Sequence, residues 1–203
     1  MRVLEIFDSI QGEGIWAGVP MTFVRLAGCN GPLWSLGCSL WCDTRGSWDL
    51  AGGDDLQVTE VAPRVTMPRV CVTGGEPMLQ GAEVAELAAL LRMRGVRVHL
   101  ETNGILPPPP GPALDWVTVS PKPPDYRLAP GFAGRVDELK VVVDGDFRVE
   151  VAECLAAAHP AAAMCLQPEA GGGAESVSAA VSAVLAHPSW RISVQLHTLL
   201  GLR

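Results

Sequence analysis

Basic charge is in short supply in this chain. Its 15 Lys and Arg are outnumbered by 22 Asp and Glu, giving a formal net charge of −7. A nucleic-acid footprint needs a concentrated basic face to meet phosphate, so no nucleic-acid partner is expected and a small molecule fits better. Also missing is any unbroken apolar run near the roughly 18 residues a membrane span requires. The first residues lack the basic segment, apolar stretch and cleavage site of a secretory leader. A cytoplasmic protein with no membrane partner is expected. No internal repeat is present. The 203 residues, 48% hydrophobic, can bury one core and are too few for two, so residues 1–203 read as a single domain.

Apolar and β-branched segments at residues 21–27, 69–73, 96–101, 116–120, 138–143, 164–167 and 191–197 read as strands. Helical patterns lie between several of them. Residues 56–64 form a weak one, and residues 147–158 and 174–186 are Ala-rich. Residues 77–94 form a strong one, with Leu79, Val84, Leu87, Leu90 and Leu91 on one face and Gly95 placed to end it. Alternating strands and helices imply an α/β fold with a mostly parallel sheet, whose ligands bind beyond the carboxyl ends of the strands. Thr73-Gly-Gly-Glu-Pro77, Glu101-Thr-Asn-Gly104, Ser120-Pro-Lys122 and Gln167-Pro-Glu169 all follow expected strands. The prolines at 107–110, continued by Gly111-Pro112, read as a surface loop.

Cytosolic thiols stay reduced, so the six cysteines are not read as disulfides. Cys71, Cys154 and Cys165 sit among apolar neighbours as small hydrophobes do. Cys29, Cys38 and Cys42 lie on the loop after the first of those strands, with eight and then three residues between them. A structural zinc site wants four protein ligands, and no fourth Cys or His follows in the loop. Three thiolates on a four-iron cluster leave one iron open to a substrate or cofactor. Zinc completed by a distant His such as His197, or three packed cysteines without metal, are the alternatives.

Taken together, Ser9-Ile-Gln-Gly-Glu-Gly14, Phe23-Val-Arg-Leu-Ala-Gly-Cys-Asn30, Trp41-Cys-Asp-Thr44 and Thr73-Gly-Gly-Glu-Pro77 resemble the 7-carboxy-7-deazaguanine synthase family of radical S-adenosylmethionine enzymes. Glu101-Thr-Asn-Gly104, Ser120-Pro-Lys122 and Val194-Gln-Leu-His197 extend the likeness along nearly the whole chain. The cysteine spacing is wider than is usual in that superfamily, and Cys38 is the sole candidate for the middle ligand. The resemblance implies an incomplete, modified (β/α) barrel with the cluster loop after its first core strand. It implies conversion of 6-carboxy-5,6,7,8-tetrahydropterin to 7-carboxy-7-deazaguanine with release of ammonia, in the pathway to queuosine and related 7-deazapurines. The implied cofactors are a [4Fe-4S] cluster, S-adenosylmethionine and Mg2+. The implied partners are an electron donor such as flavodoxin and a second copy of the chain.

By the same resemblance, Cys29, Cys38 and Cys42 hold the cluster and Thr44 holds magnesium. Gly75, with Gly74 and Glu76, lines the amino group of S-adenosylmethionine, while Ser120, Pro121, Lys122, Gln167, Pro168, Glu169 and Ala170 take the rest of it. Ile10, Gln11, Gly12, Glu13, Arg25, Thr73, His197 and the carboxylate of Arg203 surround the substrate. No protein side chain is assigned as catalytic. Each residue also has a plainer reading. Glu13 is a surface acid by type, His197 a core histidine, and Arg25 the holder of an internal salt bridge, for example to Glu101. Rival functions are an activase acting on a partner protein and a non-catalytic zinc-binding module.

Overall fold

The computed structural model describes residues 1–111 and 114–202. Pro112 of the proline loop and Arg203 of the expected substrate set lie outside them. Nine strands form one sheet among the described residues, in the order β3-β1-β2-β4-β5-β6-β7-β8-β9. These are β1 (Arg2–Ile10), β2 (Pro20–Leu26), β3 (Asp54–Asp55), β4 (Arg69–Gly74), β5 (Arg97–Thr102), β6 (Trp116–Val119), β7 (Glu138–Val143), β8 (Ala163–Pro168) and β9 (Arg191–Ile192). From β2 to β9 every neighbouring pair is parallel, whereas β1 runs antiparallel to both β2 and β3. β3 and β9 end the order without pairing to each other, so the barrel is open, as expected.

Side chains alternate across a strand, and here the alternation separates a core from a site. Val24, Val72, Leu100, Val117, Leu139, Val141 and Leu166 point one way into the main core. The helices α2 (Gly81–Met93), α3 (Val149–Ala158) and α4 (Gly173–Ala186) bring Val84, Leu87, Leu91, Ala152, Ala180 and Ala183 to that core. The intervening positions include Arg25, Thr73, His99, Glu101, Thr118, Glu138, Lys140 and Gln167, and they form a polar interior on the opposite face. Burying apolar surface at ~25 cal/mol per Å² drives the first face together. The second face is stable only where its polar groups are paired.

The strong helical pattern at 77–94 resolves into a 3-10 turn (Pro77–Gln80) followed by α2. Glu76 caps it. Its carboxylate accepts from Met78 N (2.9 Å), Thr102 Oγ1 (2.6 Å) and Asn103 N (2.7 Å), and the side chain is fully buried. Burial pushes its pKa up against those hydrogen bonds. The Glu76 side chain therefore staples the end of β4 to the end of β5 and is itself kept out of the cavity. The weak pattern at 56–64 is a four-residue helix, α1 (Val58–Val61), and a 3-10 turn (Ala62–Arg64).

Two further expectations are corrected. The last strand is only two residues long, because the chain leaves the sheet at Ser193 and forms a short helix, α5 (Leu196–Leu200), that carries His197. Cys71 and Cys165 are buried as expected, but Cys154 is exposed.

Candidate active site

The carboxyl ends of the parallel strands open on one cavity of about 230 Å³, and a smaller lobe of about 100 Å³ adjoins it. Cys29, Cys38 and Cys42 line one wall. Cys29 and Cys38 sulfurs lie 3.4 and 3.5 Å from the point where a Cβ on Gly31 would sit, so they converge beside that glycine. Burial pushes the Cys29 thiol up to about 11 and raises Cys38, with the neighbouring sulfurs adding to both. A bound cationic centre would reverse that balance by favouring thiolates.

The grouping of metal-capable side chains bears on cluster against zinc. Four ligands at about 2.3 Å from one zinc ion bring their sulfurs within roughly 4 Å of one another. Among the described residues, the only trio of metal-capable side chains gathered within 4.8 Å is Glu13, Asp43 and His197. The three cysteines do not form such a trio, and His197 groups with Glu13 and with Asp43 beside Cys42. Three thiols with no His among them fit a cluster that leaves one iron open better than a four-ligand zinc site. Thr44 lies at the edge of the cysteine wall, its hydroxyl 3.6 Å from Cys42 Sγ and 3.3 Å from Asp43 Oδ1.

The wall opposite is built around Glu13. Lys140 from β7 pairs with its Oε2, and Gln167 (3.0 Å) and Gln195 (2.8 Å) donate to its Oε1. Burial would raise the Glu13 pKa, but Lys140 and these hydrogen bonds outweigh it and hold the group ionised. Gln195 Nε2 also donates to Asp43 Oδ2 at 2.7 Å, tying the C-terminal segment to the cysteine loop. Gln11 donates to Glu101 at 2.8 Å, and Thr73 Oγ1 donates to the other oxygen of Glu101 at 3.2 Å. Gly12 has no room for a side chain, since a Cβ there would lie 2.0 Å from His197 Nδ1. α5 is thereby seated directly on the Gln11-to-Glu13 turn, and Leu196 N donates to Gly12 O at 2.8 Å.

Arg25 makes the internal salt bridge of its plainer reading, with a partner other than the suggested Glu101. It bonds Glu5 Oε1 through Nε at 2.8 Å, not Glu101. The cause is register: Glu5 stands directly opposite Arg25 on the antiparallel β1. Its guanidinium also lies over Phe7, 5.8 Å from the ring centre, and it still lines the cavity together with Ile10 and Thr73.

Gly75, Ser120 and Lys122 lie on the cavity wall between the cysteines and β7, and Lys122 donates to Ser120 Oγ at 2.7 Å. Ser120 and Lys122 also line the adjoining lobe, with Gln167, Pro168, Glu169 and Ala170. Pro121 is buried behind them. The structure therefore gathers most of the expected residues around two joined spaces. Sequence reasoning missed Lys140, Gln195 as a contact of Glu13, and Glu5. The signal for Lys140 was present: it is a lone ammonium inside the apolar strand Glu-Leu-Lys-Val-Val-Val, and a buried charge requires a partner.

No family model matches the chain. Curated proteins do. A 7-carboxy-7-deazaguanine synthase from Bacteroides thetaiotaomicron is 38% identical over 204 residues, covering 100% of this chain and 98% of that protein. Those of Bordetella pertussis (37%, 98% of each) and Synechocystis sp. (35%, 99% of this chain and 93% of that one) align as fully. The crystal structure of QueE from Escherichia coli superposes with a TM-score of 0.75 at 27% identity, covering 97% of this chain and 94% of that one. Full-length identity at this level joins the shared architecture and the cavity of cysteines and polar side chains, and the chain belongs to the 7-carboxy-7-deazaguanine synthase family of radical S-adenosylmethionine enzymes.

Proposed function

We propose that the protein converts 6-carboxy-5,6,7,8-tetrahydropterin to 7-carboxy-7-deazaguanine with release of ammonia, as a step toward queuosine or related 7-deazapurines. The observation that carries this reading is the confrontation, across one cavity, of three cysteines with the Gln11, Glu13 and Arg25 wall. Cys29, Cys38 and Cys42 would hold a [4Fe-4S] cluster, Thr44 would help hold Mg2+, and S-adenosylmethionine would lie between Gly75 on the main cavity and the residues of the smaller lobe. When bound, these groups supply the radical that removes hydrogen from the substrate.

The protein's own part is binding, orientation and exclusion of water. Glu13 and Gln11 offer acceptors to the amino-pyrimidinone edge. Arg25 donates through Nε to Glu5, and its two terminal nitrogens, which make no hydrogen bond among the described residues, would form the fork to the substrate carboxylate. His197 and α5 close the turn that bears Glu13. An activase would need an open docking face for a protein chain, and the close seating of α5 over this turn speaks against that rival.

Anaerobic reconstitution with iron and sulfide, then incubation with S-adenosylmethionine, dithionite, magnesium and the carboxytetrahydropterin, should yield 7-carboxy-7-deazaguanine by mass spectrometry. Formation of 5′-deoxyadenosine without the deazapurine would keep the cluster and sink the substrate. Among the described residues no helix is long and apolar enough to cross a membrane, and a cytoplasmic site with flavodoxin as reductant completes the reading.

A homodimer is part of the same proposal. Val177, Val181 and Leu185 recur every four residues along α4 and are 49%, 41% and 76% exposed, beside the sheet edge where Ile192 is 42% exposed. An apolar stripe at a sheet edge suits a second copy. Sedimentation equilibrium is expected to show a dimer for the wild type and a monomer for Val181→Glu; a monomeric wild type removes the dimer.

A further inference from the structure

We propose that Lys140 is the positioning residue of the substrate pocket, clamping the Glu13 carboxylate so that its one unfilled lone pair, on Oε2, is offered to the substrate. The inference rests on the functional reading above and deepens it.

Lys140 sits on β7, a strand buried along its whole length, and its side chain is only 8% exposed. Its ammonium meets Glu13 Oε2. Gln167 and Gln195 occupy the two acceptor directions of Oε1. An ionised carboxylate has about four acceptor directions, so three are filled and the fourth lies on the oxygen that Lys140 holds. A substrate N–H approaching Glu13 therefore meets the atom whose place Lys140 sets.

A neutral side chain at residue 140 would not do the same work. The groups that face this pair are Glu101 and His99 from β5, Glu138 from β7, Lys122 after β6, Asp43 from the cysteine loop and His197 from α5. Burial keeps His99 neutral, lowering it to about 4, and raises Glu138. Lys122 is engaged with Ser120. Lys140 is left as the cation in contact with Glu13, and its field also holds down Glu101 against the effect of burial. Without it, two half-buried carboxylates on one cavity wall would be left without that cation and at least one would take up a proton. A protonated Glu13 presents a donor where the substrate needs an acceptor.

The test combines binding with a ligand-free readout. Carboxytetrahydropterin affinity is measured anaerobically by calorimetry from pH 5 to 8 for wild type, Lys140→Met, Lys140→Arg, Glu13→Gln and the Glu13→Gln/Lys140→Met double variant. In parallel, protein labelled with 13C at the Glu carboxyl carbons is titrated by NMR, and Glu13→Gln identifies the Glu13 signal. Expected are a wild-type affinity that is flat with pH and a Glu13 signal that does not titrate above pH ~4, below the ordinary glutamate value of about 4.3. Lys140→Met should bind about 10- to 100-fold more weakly, losing affinity as pH falls through a Glu13 pKa raised into this range. Lys140→Arg should keep the flat profile. Because Lys140 acts through Glu13, adding Lys140→Met to Glu13→Gln should cost less than a further twofold. Additive losses, or a wild-type profile in folded Lys140→Met, overturn the proposal. If Lys140→Met fails to fold, a wild-type Glu13 signal titrating at the ordinary glutamate value overturns it alone. A wild type that does not bind the pterin sinks the functional reading, and with it the substrate role of Lys140.

Discussion

Cys29→Ala, Cys38→Ala and Cys42→Ala are each expected to abolish cluster retention and to lower turnover by at least about 10³-fold, because the cofactor carries the difficult chemistry and the protein has no substitute for it. Iron and sulfide analysis after anaerobic reconstitution, with the visible absorbance of the cluster, checks the first part. Mass spectrometry of the product checks the second. Cys38 is the informative member, since the wide spacing on its two sides makes it the least secure ligand by sequence. In the structure its sulfur shares with Cys29 the space beside Gly31. Cys154→Ala is the control: that thiol is exposed on α3, away from the cavity, and its loss should leave iron content and turnover unchanged. A Cys38→Ala variant that keeps its cluster would move the middle ligand elsewhere and break the loop geometry described above.

Much of the fold was legible because the chemistry-bearing motifs mark the carboxyl ends of parallel strands, where a backbone leaving the sheet frees side chains to face a ligand. That is why Gly75, Asn103, Ser120 and Glu169 fall at strand ends in both readings. What was not legible is mostly pairing. β1 is an alternating, partly charged segment whose partner, β2, is antiparallel to it, and its register decides that Arg25 meets Glu5 and not Glu101. The short final strand is a second case. Val194-Gln-Leu-His197 has strand-like content, yet the Ser193 hydroxyl accepts from Gly14 N and donates to Gln167, so the chain turns inward there. That turn delivers Gln195 to Glu13 and His197 to Gly12, contacts between residues more than 180 positions apart. Local pattern carries no information about such approaches. Lys140 differs in kind: its oddity was local and visible, and only the identity of its partners needed the structure.

Gly75→Ala is expected to be nearly as damaging as loss of a cysteine, for a reason rooted in the backbone. A Cβ on Gly75 would lie 2.1 Å from Gly28 O and 2.8 Å from Ser47 O, both main-chain atoms. Neither can swing aside as a side chain would. Gly28 is pinned from both directions, since its carbonyl accepts from Glu76 N at 2.8 Å and its own N–H donates to Ser47 O at 2.8 Å. The only relief is to move the start of the cysteine loop away from β4, and Cys29 is the next residue. Overpacking of this sort costs about 1–3 kcal/mol, occasionally more, and here the strain falls on the loop that places the ligands. Gly75→Ala should therefore lower the denaturant midpoint, reduce bound iron and cut turnover by about 10²-fold or more, since a misplacement of about 1 Å is enough to cost that much. Gly81→Ala supplies the contrast. It opens α2 with nothing within 4 Å of its Cβ position and no positive φ, so the substitution should raise stability by about 0.4–1 kcal/mol through the unfolded chain and leave turnover unchanged. Equal behaviour of the two variants would mean that the glycine of this motif is not held by close approach to Gly28, and that its place in the site has another cause.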